Sequence, residues 1–167
     1  MQKFYGSFFI ALILTSCSHT YYIVRHAEKA TPSPGATMST PDDPPLSEAG
    51  IKRAEALKDA LKDKQVKNIF STNTKRTRLT AEPFSKYGGL NIQTYGPRPD
   101  SMFIKQLKSL KTNALIVGHS NTVDDVVNGL TNGNKLSDLA DSEYDNLFIV
   151  RYKRFFGTKI QYERIKY

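Results

Sequence analysis

The chain has 167 residues, of which 39% are hydrophobic and 24% charged, with a formal charge of +8 and a single cysteine. That length supports one domain with a real core, the composition excludes a disordered or fibrous chain, and a lone cysteine excludes an internal disulfide. A basic balance suits an anionic partner, but the lysines and arginines are scattered, with no dense run interleaved with aromatics, so nucleic acid is not an expected partner.

The chain opens with Lys3 and a short apolar run, Phe8–Leu14. This run is far below the roughly 20 residues that span a bilayer and fits the apolar part of a signal peptide. Leu14-Thr15-Ser16-Cys17 follows and resembles the lipobox of bacterial lipoproteins, in which the cysteine is acylated and becomes the new N-terminus. The expected organisation is therefore a signal peptide over 1–16, a lipidated tether over 17–20 and a domain over 21–167. His19 reads as a linker residue of the tether. The expected location is the bacterial cell envelope, lipid-anchored through Cys17, facing the periplasm or in the outer membrane; several acyl chains would give stable anchoring.

Tyr21-Tyr22-Ile23-Val24 is aromatic and β-branched and reads as a buried strand, ended by Arg25-His26-Ala27-Glu28-Lys29. Thr31–Pro45 holds five of the eight prolines and is a loop placed to cover whatever lies at that strand end. Ser47 reads as the N-cap of a helix whose apolar stripe is Gly50, Ala54, Leu57 and Leu61. Val66–Phe70 is a short strand, and a polar turn beginning at Ser71 delivers Arg76. Residues 76–86 read as a helix despite Pro83, closed by Gly88 and Gly89. Leu90–Tyr95 alternates as a strand, and Ser101–Leu110 is a helix with Phe103, Ile104, Leu107 and Leu110 on one face. Ala114–Val117 is a fully apolar strand that runs into Gly118-His119-Ser120-Asn121-Thr122 and a helix over 123–130. Leu147–Tyr152 pairs with Lys159–Arg164 through a turn at Phe156-Gly157-Thr158. Strands and helices alternate, which predicts an α/β fold with a mostly parallel sheet and an antiparallel edge.

Two strands thus end in histidine, His26 and His119, and two arginines, Arg25 and Arg76, reach the same carboxyl edge, where open α/β sheets bind ligands. Guanidinium forks match phosphate oxygens. A histidine nitrogen can attack phosphorus and split transfer into two steps, and the cations to stabilise the equatorial oxygens come from side chains, so neither a metal nor another cofactor is expected.

Arg25-His26-Ala27-Glu28 resembles the RHGE signature of the histidine phosphatase superfamily. Leu46-Ser47-x-x-Gly50, Ser71 with Arg76-x-x-x-Thr80-Ala81, and Gly118-His119-Ser120 resemble its further motifs, in the same order. The resemblance implies a three-layer α/β/α sandwich, phosphoglycerate-mutase-like, with His26 as the nucleophile and Arg25, Arg76 and His119 lining the phosphate pocket. Asn121 is a candidate substrate contact or helix cap. The mutase-type glutamate after the third strand is missing, which leaves Asp100 and Glu143 as candidate proton donors. The chain is too short for a large substrate cap, so it resembles the small phosphohistidine-phosphatase group. The expected function is hydrolysis of small phosphomonoesters through phospho-His26; the alternative is a lipoprotein of the same fold that binds phosphate or a phosphorylated glycan without turnover.

Overall fold

The computed structural model describes residues 18–31, 34, 43–154 and 157–167. Residues 1–16, expected to be a signal peptide, Cys17, most of the proline-rich loop and Phe156 of the hairpin turn lie outside the described residues.

The elements are β1 (Ser18–Arg25), α1 (Glu48–Leu61), β2 (Asn68–Ser71), α2 (Lys75–Gly88), β3 (Ile92–Thr94), α3 (Ser101–Leu110), β4 (Ala114–Gly118), α4 (Val123–Thr131), β5 (Asn146–Arg154) and β6 (Thr158–Lys166). The six strands form one sheet in the order β3-β2-β4-β1-β5-β6. β1, β2, β3 and β4 are mutually parallel, while β5 runs antiparallel to β1 and β6 to β5. The antiparallel edge is thus a two-stranded hairpin.

Alternation along the strands sends side chains to both faces. Tyr22, Val24, Ile69, Leu115 and Val117 pack under α1 and α2, through Leu57, Leu61, Ala81 and Phe84. Tyr21, Ile23, Phe70 and Ile116 pack under α3 and α4, through Phe103, Leu107, Val126 and Leu130. Two helices on each face make the three layers. The connection leaving β1 therefore passes over one face and the connection leaving β4 over the other. β1 and β4 are neighbours, so a crevice opens between their carboxyl ends, which is the switch point where open α/β sheets bind ligands.

The helix starts follow from their caps. Ser47 accepts from the Gly50 amide and Asp100 from the Phe103 amide at α1 and α3, and α2 ends on Gly89 in the left-handed region. Pro83 lies inside α2. The structure corrects the tether: Ser18, His19 and Thr20 belong to β1 and pair with β5, and His19 is buried, stacked on Tyr152 with ring centroids 5.1 Å apart. No described helix is long and apolar enough to cross a membrane.

Candidate active site

His26 follows the last residue of β1 and is tied to β4 by its amide, which donates to the Gly118 carbonyl at 2.8 Å. Its ring is nearly buried, 4% exposed, and Nδ1 lies 2.8 Å from the Ala27 carbonyl. A carbonyl only accepts, so Nδ1 carries the proton and the lone pair resides on Nε2. Burial lowers the affinity of His26 for a second proton; the Ala27 hydrogen bond opposes this, and the charges of Arg76, His119 and Arg25 add to it, leaving a pKa of about 3. The ring is therefore a neutral imidazole at neutral pH.

The backbone beside His26 is held from two sides. Ala27 donates its amide to Thr80 Oγ1 at 2.9 Å, and that hydroxyl donates back to the Arg76 carbonyl at 2.7 Å. The Glu28 carbonyl accepts from the Ser47 amide at 2.9 Å, and its carboxylate takes a two-pronged contact from Arg53. Gly50 makes this approach possible: a Cβ there would sit 2.1 Å from the Glu28 carbonyl oxygen. The motif spacing Leu46-Ser47-x-x-Gly50 thus serves to dock α1 against the strand end that carries His26.

His119 follows β4, and its ring centroid is 5.4 Å from that of His26. Arg76, in the first turn of α2, donates from Nη2 to His119 Nδ1 at 3.4 Å. His119 Nε2 faces Thr72 Oγ1 at 2.8 Å, and Thr72 in turn donates to Thr77 Oγ1. Nδ1 therefore accepts and Nε2 carries the proton. Burial and the charges of Arg76 and Arg25 hold the pKa down to about 4, against a smaller upward pull from Asp43. Arg25 is 5% exposed. It donates from Nη1 to the Ala140 and Asp141 carbonyls and stacks over Tyr144 at 4.1 Å. It thereby fixes the segment between α4 and β5 against the pocket while adding positive charge to it.

The four residues singled out from the sequence therefore meet at one place. Others do not. Asp100 spends its carboxylate on the α3 cap, accepting from Phe103 at 2.8 Å. Glu143 accepts from the Ala140 amide at 2.9 Å and pairs with Arg164, so it braces the loop under Arg25. Both side chains are committed to these bonds, and neither contacts His26, His119 or Arg76 among the described residues. Asn121 is exposed in the turn after His119, and Thr122, not Asn121, is the residue that precedes α4. Ser71 is fully buried and donates to the Thr72 carbonyl, a structural role.

Sequence reasoning missed Asp43. Its Oδ1 lies 3.3 Å from Arg76 Nη1, and its Oδ2 accepts from the Lys75 amide at 2.8 Å. A carboxylate two residues before the end of the loop beginning at His26 was the available signal, obscured by the prolines around it. Among the described residues no group of three or more His, Cys, Asp or Glu side chains is arranged to hold a metal ion.

The α/β sandwich thus brings two imidazoles and two guanidiniums together at its switch point. Residues 21–96, from within β1 to just past β3, match the model of the histidine phosphatase superfamily (branch 1). His119 lies beyond the matched residues, and its place rests on the geometry above. No curated protein matches in sequence. Solved structures of the same fold include the protein histidine phosphatase SixA complexed with tungstate, at 15% identity over 88% of this chain and 96% of that one, TM-score 0.65. A mycobacterial glucosyl-3-phosphoglycerate phosphatase with inorganic phosphate is 14% identical over 86% and 95%, TM-score 0.61. A phosphoglycerate mutase from Bacillus anthracis is 15% identical over 90% and 93%, TM-score 0.60. The fold is phosphoglycerate-mutase-like.

Proposed function

We propose that this protein is a phosphatase that hydrolyses small phosphomonoesters through a phosphohistidine on His26. The observation that carries the proposal is the tautomer of His26: Nδ1 bonded to the Ala27 carbonyl, Nε2 bearing the lone pair, and Arg76 and His119 beside it. Nε2 attacks phosphorus, an N–P bond forms and the bond to the leaving oxygen breaks. Arg76 and the other cations neutralise charge on the three equatorial oxygens, so the protein itself supplies the stabilisation a metal would otherwise give. Water then attacks the phosphohistidine and restores the imidazole. The tungstate and phosphate held by the neighbours of like fold support a tetrahedral oxyanion as the ligand.

His26→Ala tests the reading. Hydrolysis of an aryl phosphate is expected to fall on the order of 10⁴-fold or more, with the circular dichroism spectrum unchanged. Unaltered turnover would refute the mechanism. Vanadate binding without turnover of any phosphomonoester by the parent chain would favour the non-catalytic binding protein instead.

We further propose that the protein is exported and lipid-anchored at Cys17. The residue proposed to carry the acyl group immediately precedes Ser18, the first residue of β1, in the sequence. Cys17→Ala is expected to move the protein from the membrane to the soluble fraction; retention in the membrane would contradict the anchor.

A further inference from the structure

The phosphatase reading leaves the proton of the leaving oxygen without a source, since Asp100 and Glu143 are tied into the α3 cap and the loop under Arg25. We propose that Asp43 is the proton donor, an inference that rests on the reading above. Three observations converge on it. Its carboxylate contacts Arg76, the guanidinium that also touches His119. It acts electrostatically on His119 itself. And its backbone is anchored rather than loose. Two residues on, the Pro45 carbonyl accepts from the Ala30 amide at 2.8 Å, and Leu46 bridges to Lys29. The pairing of residues 29–30 with 45–46 thereby holds Asp43 close to the strand end that carries His26.

The chemistry follows from what a substrate must displace. In the free protein the Asp43 carboxylate takes one edge of Arg76 and the amide of Lys75, the first residue of α2. A phosphate dianion seated on Arg76 competes for those donors and places negative charge beside Asp43, which favours the protonated carboxyl. The displaced side chain, still leashed at Pro45, stays beside Arg76 and so within reach of the phosphate seated there. In the first step His26 Nε2 forms the N–P bond, the P–O bond to the leaving group breaks, and that oxygen takes the Asp43 proton. In the second step water attacks phosphorus, its proton returns to the Asp43 carboxylate, and the N–P bond breaks to free inorganic phosphate and His26. Atoms and charges balance over the cycle, with no further reactant.

Proton donation matters in proportion to how poor the leaving group is, whereas holding Arg76 in place matters equally for every substrate. The test is therefore kcat for Asp43→Asn over a series from p-nitrophenyl phosphate through phenyl phosphate to glycerol 3-phosphate. The expected loss is about 10²-fold or more for the alkyl ester and only a few-fold for the nitrophenyl ester, with Asp43→Glu recovering much of the alkyl activity. A loss of equal size across the series, or no loss, would overturn the assignment while leaving phospho-His26 intact. Retained turnover of p-nitrophenyl phosphate in the variant shows that it has folded. Absence of turnover in the parent chain would overturn both readings.

Discussion

β1 carries a histidine at each end, and the two make an instructive pair. His19 and His26 are both about nine-tenths buried, 9% and 4% exposed, and burial lowers the proton affinity of both. Their surroundings differ. His19 lies edge-on to Tyr21 and stacked on Tyr152, with Nε2 buried and without a hydrogen-bond partner among the described residues. His26 has its Nδ1 bound, its backbone clamped by Thr80 and Ser47 through its neighbours, and two guanidiniums and a second imidazole around it. Burial and a lowered pKa are thus no mark of chemistry by themselves. What separates the two rings is the end of the strand they occupy, because only the carboxyl end lies at the switch point between β1 and β4.

The sharpest way to break this comparison is to exchange the outcomes. His26→Ala should abolish turnover and leave the circular dichroism spectrum unchanged, as stated above. The next largest effect is expected at Gly50, where a methyl group would collide with the Glu28 carbonyl. Gly50→Ala should destabilise the fold by about 3 kcal/mol in urea titration, at the upper end of overpacking, and depress kcat by displacing the segment that follows His26. A neutral result would mean that the contact between α1 and the strand end does not hold the site.

A pH series sharpens the comparison further. His26 and His119 bind a second proton at about 3 and about 4 in the folded chain, against about 6.5 unfolded. Between those values the unfolded chain holds more protons, so stability rises with pH. It should be complete above about pH 6.5 and decline steadily as the pH falls towards 4. His119→Asn should flatten that decline, measured as urea midpoint against pH. The smallest effect belongs to His19. His19→Ala should cost about 1–2 kcal/mol through lost packing against Tyr152, with kcat and KM unchanged within about twofold.

The difference between the two histidines also marks where the sequence could be read and where it could not. α3, β4 and the stripe of α1 were legible because capping residues and apolar spacing are local signals. His26, His119, Arg25 and Arg76 were legible because strand ends and motif order fix which side chains share an edge. His19 was misread because its pairing with Tyr152 is set by β5, more than 130 residues away, and no local pattern reports it. Asp43 was invisible for a similar reason: its partner Arg76 is 33 positions on, and its own neighbourhood of prolines carries only a loop signal. Thr80, which holds the backbone beside His26, and Thr72 and Thr77, which lie behind the His119 ring, look like ordinary polar residues until the strands are in place.

The central claim is tested most directly by trapping the intermediate. Rapid quenching of the parent chain during turnover of an aryl phosphate, followed by peptide mapping, should place one phosphoryl group on His26, stable in base and labile in acid, and absent from His26→Ala. A phosphoryl group that survives acid, or one that maps to another residue, would contradict the account.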